Sequence, residues 1–502
     1  MPIITSEQRQ LINTAYDPHL VREMGQHVAQ SLADHLTKVQ SATGPVLNWQ
    51  DPPHFIAAAT EQLAKGDVAQ QSLDPQDLIL RFDQLIQQSL ASGQNLHHPH
   101  YVGHQVPASV PLAALFDAAT TLTNQVMAIY EMGPWATAIE RAVVNRLGQA
   151  MGFAAGQFGG LITSGGSLAN LTALLTARNV ALGDSWTHGL AARSPAPVLV
   201  AHAEAHYCVT RSAGILGIGT EQVVRVPVDA DRRMDPNQLD EILTDLRSRN
   251  IPIVAVSAAA CATPIGAFDP LPEISDVCRR HDVWLHVDAA HGGAACLSDK
   301  HRHLVAGLEL ADSVVCDAHK MMFMPALCAM VFYRNQEHRF ATFAQTAPYL
   351  FDPSAPGMAE YDNGMINLEC TKRAAAMGLW GVWSMFGQQL FEAMVDTTFG
   401  LGQWFYELLK EQPDFQPFCQ PECNIVVFRY LPDKLQNSTP AEIDRFQLEL
   451  RRAVVKSGDF YLVQTILDGR SYLRTTIINP LTTEDHLQTL LDTLRTHGEN
   501  IL

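Results

Sequence analysis

Residues 313–320 read SVVCDAHK: an apolar run that ends on an aspartate, a histidine and a lysine. A strand-end lysine is either a solvated loop residue or, when burial or nearby cations hold its charge down, a Schiff-base nucleophile toward a carbonyl. Three other places carry groups that would suit the same carbonyl compound. In GGLITSGGSLANLTALLTARN, a Gly/Ser turn (Ser164, Gly165, Gly166, Ser167) runs straight into a helical pattern. Small residues and a helix N-terminus let backbone N–H groups close on an anion. The turn has neither the lysine of a P-loop nor a GxGxxG spacing, so it does not imply a nucleotide. In VWLHVDAAHGG a strand ends at Asp288, and small residues follow, Ala290 among them, leaving room for a flat ring. A carboxylate there could keep a pyridinium nitrogen protonated. In AHAEAHYCVTRSAG, His206 follows a strand and could stack on an aromatic ring.

Each of these has a plain structural reading, as a capped helix, a surface aspartate or a packed histidine. Together, in chain order, they answer the phosphate, ring face, ring nitrogen and aldehyde of one molecule. That molecule is pyridoxal 5′-phosphate.

The elements that must position these groups are legible around them. From about residue 159, short β-rich runs (PVLVAH, VVRVPV, IPIVAVS, VWLHVD, SVVCD, AMVFYR) alternate with helical stretches. This argues for an α/β fold with a mostly parallel sheet covered by helices on both faces, and ligands in such sheets bind beyond the carboxyl ends of the strands. Residues 1–100 read as an N-terminal helical segment, with Leu78, Ile79, Phe82, Leu85 and Ile86 on one helix face. Residues 101–385 form the large domain of the alternation. Residues 386–502 form a small C-terminal α+β domain, with CNIVVFRY and SYLRTTII as strands and TEDHLQTLLDTLRTH as the closing helix.

Composition narrows the classes further. A chain of 502 residues with 47% apolar and 17% charged residues suits a multidomain globular enzyme. The net charge of −18 repels polyanions, so no nucleic-acid partner is expected. The N-terminus lacks a basic stretch followed by an apolar run, and no segment reads as a membrane span, so a cytoplasmic location is expected. Nine scattered cysteines fit reduced thiols. Neither the Cys419/Cys423 pair nor the histidines of LHHPHYVGH and KHRHL complete a ligand set, and no metal is expected.

From HPHYVGHQV at residue 98 to INPLTTEDHL near 487, the chain resembles the group II pyridoxal-phosphate-dependent decarboxylases. The densest likeness is WLHVDAAHGGAACLSDKHRHLVAGLELADSVVCDAHK, through the cofactor aspartate, the RHL helix and the His-Lys dipeptide. The resemblance implies fold type I and a homodimer with intertwined N-terminal helices and the active site at the interface. It implies that Gly166 and Ser167 bind the phosphate, His206 stacks on the ring and Thr263 contacts the cofactor from the next strand end. Asp288 would pair with the ring nitrogen, Lys320 would link to the aldehyde, and His319 would contact the phosphate or the bound substrate. Asp317 stands where the family often has Asn, and His291 where it has Tyr or Trp. Tyr361, in a Pro/Gly-rich segment resembling the family's catalytic loop, falls where glutamate decarboxylases keep the tyrosine that protonates Cα.

The implied reaction is α-decarboxylation of an amino acid to an amine and CO2. The expected substrate is small and polar or acidic: 2,4-diaminobutyrate, aspartate, glutamate or cysteine sulfinate. Arg474, where the family commonly has an arginine, is expected to receive a substrate carboxylate. His104 stands where glutamate decarboxylases have a substrate-side Gln, with Gln105 beside it. A decarboxylase that oxidatively deaminates to an aldehyde, or a transaminase, would use the same residues.

Overall fold

The structure is a computed structural model that describes residues 3–67, 72–343 and 359–502. Four helices open the chain: α1 (Ser6–Ala15), α2 (Pro18–Gln40), α3 (Pro52–Gly66) and α4 (Pro75–Ser92). The last three begin on an Asp-Pro pair, the proline preset for the first turn. Asp17 and Asp74 accept a backbone N–H from that turn. α1, α3 and α4 bury no residue within the chain. Leu11, Leu63, Leu80 and Leu85 are exposed, and so the apolar face expected on α4 is only partly covered.

After α5 (Pro111–Thr123) and α6 (Pro134–Ala150) come β1 (Gly159–Thr163), α7 (Gly166–Leu182), the short α8 (Ser185–His188), β2 (Val198–His202), α9 (Tyr207–Ile215) and β3 (Val223–Val226). Then follow α10 (Pro236–Ser248), β4 (Ile253–Ala259), α11 (Leu271–Arg280), β5 (Leu285–Asp288), β6 (Ser313–Asp317) and β7 (Ala329–Tyr333). These seven strands form one sheet in the order β1-β7-β6-β5-β4-β2-β3. It is parallel except for β7, which runs antiparallel to both neighbours. Side chains alternate between two apolar clusters on opposite faces: along β6, Val314 and Cys316 enter one and Val315 the other.

β1 has no counterpart among the expected strands, because two glycines open it. They are there for closeness rather than propensity: a Cβ on Gly160 would lie 2.6 Å from the Val331 carbonyl. The outer edge of β1 is closed by a buried ion pair. Glu140 accepts the Ile162 N–H at 3.1 Å, and Lys372 donates to the Ile162 carbonyl at 2.8 Å and to Glu140. The RHL segment is a single 3-10 turn, Arg302–Val305, and not the expected helix.

α12 (Met377–Glu411) breaks at Gly387, whose φ of 67° only glycine adopts easily. Beyond it a second sheet, order β10-β11-β9-β8, is made of β8 (Phe415–Pro417), β9 (Ile425–Tyr430), β10 (Val463–Leu467) and β11 (Arg470–Thr476). Helices α13 (Pro440–Ser457) and α14 (Glu484–Ile501) pack with it around Phe405, Phe428, Leu450 and Leu494. Of its strands, β8 and β10 were not expected. β8 has three residues, and β10 alternates buried and exposed positions in a weakly apolar stretch. Among the described residues no helix is long and apolar enough to cross a membrane.

Candidate active site

Strand register brings the chemistry together. Thr163 of β1 pairs with Ala329 of β7, which pairs with Asp317 of β6. The turn after β1 therefore lies directly over Asp317. Gly165 takes φ +113°, and a Cβ on Gly166 would sit 2.5 Å from Asp317 Oδ2. No side chain caps α7. Its first-turn N–H groups are thus left without a side-chain acceptor, as an anion site requires. Ser164 Oγ donates to Glu369 at 2.6 Å.

A relay of side chains sets this turn against the neighbouring strands. Asn170 donates to the Gly166 carbonyl at 2.9 Å and accepts from His286 Nε2 at 2.9 Å. His286 Nδ1 in turn takes the Ser313 hydroxyl at 2.9 Å, and Trp284 Nε1 donates to that same oxygen. Burial lowers the His286 pKa to about 4, and every member of the relay is satisfied with the imidazole neutral.

A cavity of about 350 Å³ opens beside the turn. Its walls include all the residues expected to hold the cofactor: Gly166, Ser167, His206, Thr263, Asp288, Ala290, Asp317, His319 and Lys320. His206 is the N-cap of α9, and its Nδ1 accepts the Cys208 N–H at 3.3 Å. Burial lowers its pKa, Asp288 opposes that shift and Lys320 adds to it. A neutral, fixed ring suits stacking. Asp288 Oδ1 accepts the Ala290 N–H at 3.2 Å, and Cys208 Sγ lies 4.0 Å from Oδ2.

Lys320 departs from expectation in one respect. Burial alone would lower its pKa, but the charges of Asp317 and Asp288 outweigh burial and raise it. Its Nζ is 3.4 Å from Asp317 Oδ2. The expected depression by desolvation or cations does not occur, because carboxylates surround this amine. Here the amine is held as an ammonium, which must give up a proton before it can add to a carbonyl.

Three expected residues are not on the cavity wall. Gln105 lines it in place of His104. Gly103 lets Tyr461 lie against the backbone, and His104 turns to that ring, with centroids 5.8 Å apart. Tyr361 is 40% exposed, beside Tyr130 and under the Arg141 guanidinium. Most of the loop segment that precedes it, residues 344–358, lies outside the described residues. Arg474 is buried in β11, behind the wall made by Cys261 and His291, whose titrations its charge lowers. Its Nε and Nη2 have no partner among the described residues, and burial pulls its pKa to about 10. A buried guanidinium whose Nε and Nη2 lack partners is costly to hold charged.

Sequence reasoning gave His291 no role and missed Asn424. Asn424 donates to the Ile477 carbonyl at 3.1 Å, so its oxygen faces His291 Nε2 at 2.9 Å. That fixes the proton on Nε2 and leaves Nδ1 a buried acceptor with no partner among the described residues. Burial holds the imidazole neutral, with a pKa of about 3.

The residues fit pyridoxal phosphate. The glycine cradle, the unpartnered Asp317 Oδ1, the slot between His206 and Ala290, and the Lys320 amine each match one of its parts. The comparisons agree. The family model described as pyridoxal-dependent decarboxylase conserved domain matches residues 60–431. The chain is 29% identical to a cysteine sulfinic acid decarboxylase of Mus musculus, over 97% of this chain and 98% of that one. It is 30% identical to an acidic amino acid decarboxylase of Homo sapiens, over 76% of this chain and 74% of that one. The crystal structure of mouse CSAD superposes with a TM-score of 0.86 at 28% identity, covering 96% of this chain and 99% of that one.

Proposed function

Because this chain belongs to the pyridoxal-dependent decarboxylase family, we propose that it removes the α-carboxyl group of an acidic amino acid, with cysteine sulfinate, aspartate and glutamate as the candidates. That it is a pyridoxal-phosphate-dependent amino acid decarboxylase, a carboxy-lyase, stands on the family itself. The choice of substrate is supported by the relatives' names and by the charge of Arg474, which reaches the cavity wall at Cys261 and His291. Bound in the cavity, the cofactor supplies an aldehyde for the amine and a protonated ring that accepts the electron pair left when CO2 departs.

The protein's residues do the rest. Lys320 offers the amine that links and releases, and Asp288 holds the proton on the ring nitrogen. His206 fixes the ring plane, and the buried walls exclude water where charge disperses. The departing carboxylate loses its charge in the transition state, so a guanidinium paired with it would stabilise the ground state and slow the reaction. From behind the wall, the positive field of Arg474 favours a substrate with a distal acid. A distal ammonium, as in 2,4-diaminobutyrate, would meet repulsion there. The names of the two relatives, which act on a sulfinate and on acidic amino acids, support the same choice.

The test is CO2 release across the common amino acids plus cysteine sulfinate and diaminobutyrate, with the organic product identified. Acidic substrates are expected to give the highest kcat/KM, with an amine as product. A preference for diaminobutyrate or aromatic amino acids would reject the assignment, and aldehyde plus ammonia would replace it with oxidative deamination. Arg474→Ala is expected to raise KM for the acidic substrate roughly ten- to a hundredfold, the worth of a charge-assisted bond. An unchanged KM would reduce Arg474 to a structural cation.

The working unit is proposed to be a homodimer. Two observations support this: the uncovered apolar faces of α1, α3 and α4, and a Tyr361 that does not line its own chain's cavity. Tyr361 would then serve as proton donor to Cα in the neighbouring copy. Tyr361→Phe is expected to divert part of the amine to aldehyde. Mixing Lys320→Ala chains with Tyr361→Phe chains should regenerate one intact site per mixed dimer. No recovery on mixing would return Tyr361 to its own chain or to no role.

A further inference from the structure

We infer that Asp317 holds the cofactor phosphate as a protonated carboxyl, donating its O–H to a phosphate oxygen, so that phosphate binding takes up a proton. The inference rests on the cofactor and not on which amino acid is decarboxylated.

Geometry carries it. Asp317 is 2% exposed, and its Oδ2 packs directly on Gly166, the first residue of α7. Its Oδ1 has no partner among the described residues, while the residue lines the same cavity as Ser164, Gly165 and Ser167. A dianionic phosphate seated on this glycine turn would meet the carboxylate at hydrogen-bond range. Two anions at that distance cannot both stay charged, and a proton between them converts repulsion into a bond. An amide at this position would donate a hydrogen at any pH. A carboxyl donates only while it keeps its proton.

The groups that face Asp317 set the balance. On its own loop, Lys320 Nζ is 3.4 Å and His319 Nε2 is 3.5 Å from Oδ2. His319 Nδ1 lies between the Cys328 carbonyl at 2.9 Å and the Cys328 N–H at 3.3 Å, and the imidazole pulls the Asp317 carboxyl down when it carries charge. Asp288, at the end of β5, adds a like charge. The α7 side contributes Gly166, Ser167 and Asn170, none of them charged, and the nearby thiols Cys316, Cys328 and Cys208 are held protonated by burial. Burial first, with Asp288 behind it, raises the Asp317 carboxyl above its ordinary range, against the pull of Lys320 and His319.

The sign follows. If the complex binds one proton more than the free protein, affinity falls as pH rises. Pyridoxine 5′-phosphate is the probe, because it has no aldehyde and leaves Lys320 free. Its dissociation constant would be measured from pH 7 to 9, above the phosphate's second ionisation near about 6. The wild-type constant is expected to weaken toward about tenfold per pH unit more steeply than that of Asp317→Asn, which should also bind more tightly at the alkaline end. Any contribution of Asp288 and the ring nitrogen is common to both proteins and cancels in the difference. Infrared difference spectra should show a protonated-carboxyl stretch on probe binding to the wild type and none in Asp317→Asn. Should the variant fail to fold, the wild-type spectrum decides alone. Parallel pH curves, or a wild-type complex without that stretch, would overturn the inference. Failure of the wild type to bind the probe at all would overturn it together with the phosphate cradle.

Discussion

Replacing Lys320 with Ala is expected to abolish borohydride-stable attachment of the cofactor and to lower decarboxylation by roughly 10,000-fold or more, the scale on which removing a catalytic nucleophile acts. Among the described residues, Lys320 is the only lysine on the cavity wall. The buried Lys372 is committed to Glu140 and the Ile162 carbonyl at the outer edge of β1 and is not on the cavity wall. No second amine is placed to substitute. The variant should still bind cofactor, because the α7 turn, Ser167 and Asp288 do not depend on the amine. Its yellow colour would then wash out on dialysis, where the wild type keeps it. Peptide mapping of the reduced wild type should find the label on Lys320. A label on any other lysine would defeat the assignment of the whole site.

Asp288→Asn should be nearly as damaging, with turnover falling about a hundred- to a thousandfold while the cofactor stays bound. The substitution keeps the shape, and the remaining oxygen can still accept the Ala290 N–H. What goes is the negative charge that holds a proton on the ring nitrogen. Without it the ring is a poorer acceptor of the electron pair left by CO2, and kcat should fall far more than KM rises. Absorbance at the cofactor band would report retention of the ring independently of rate. Near-normal turnover would mean that the ring nitrogen finds its partner elsewhere.

The residues that gather on the cavity wall were readable because they sit at strand ends and helix starts, where residue type and local pattern are informative by themselves. Gly166, His206, Asp288 and Lys320 each follow or open an element that the apolar periodicity marks. What could not be read depends on partners distant in sequence. His291 meets Asn424, and Asn170 meets His286, across more than a hundred residues in each case. No local pattern announces such pairs. The burial of Arg474, with Nε and Nη2 unpartnered among the described residues, is likewise invisible in the sequence. Gln105 lines the cavity and His104 does not, and an irregular segment has no period to tell one face from the other. The raised Lys320 shows the same limit: Asp317 was in plain view, but its distance from the amine was not.

The position of β7 has a consequence for how the protein is made. β1 and the turn that follows it are synthesised within the first third of the chain, yet in the finished sheet β1 has a single strand neighbour, β7, formed by residues 329–333. The row Thr163–Ala329–Asp317 therefore closes only after those residues have left the ribosome. Until then a nascent chain carries the helix-end amides with no opposing wall, and β1 with an unpaired inner edge. Cofactor capture is thus a late event in biogenesis, after about two-thirds of translation, and a chain that terminates before β7 can neither seat the phosphate nor shield that edge from other chains.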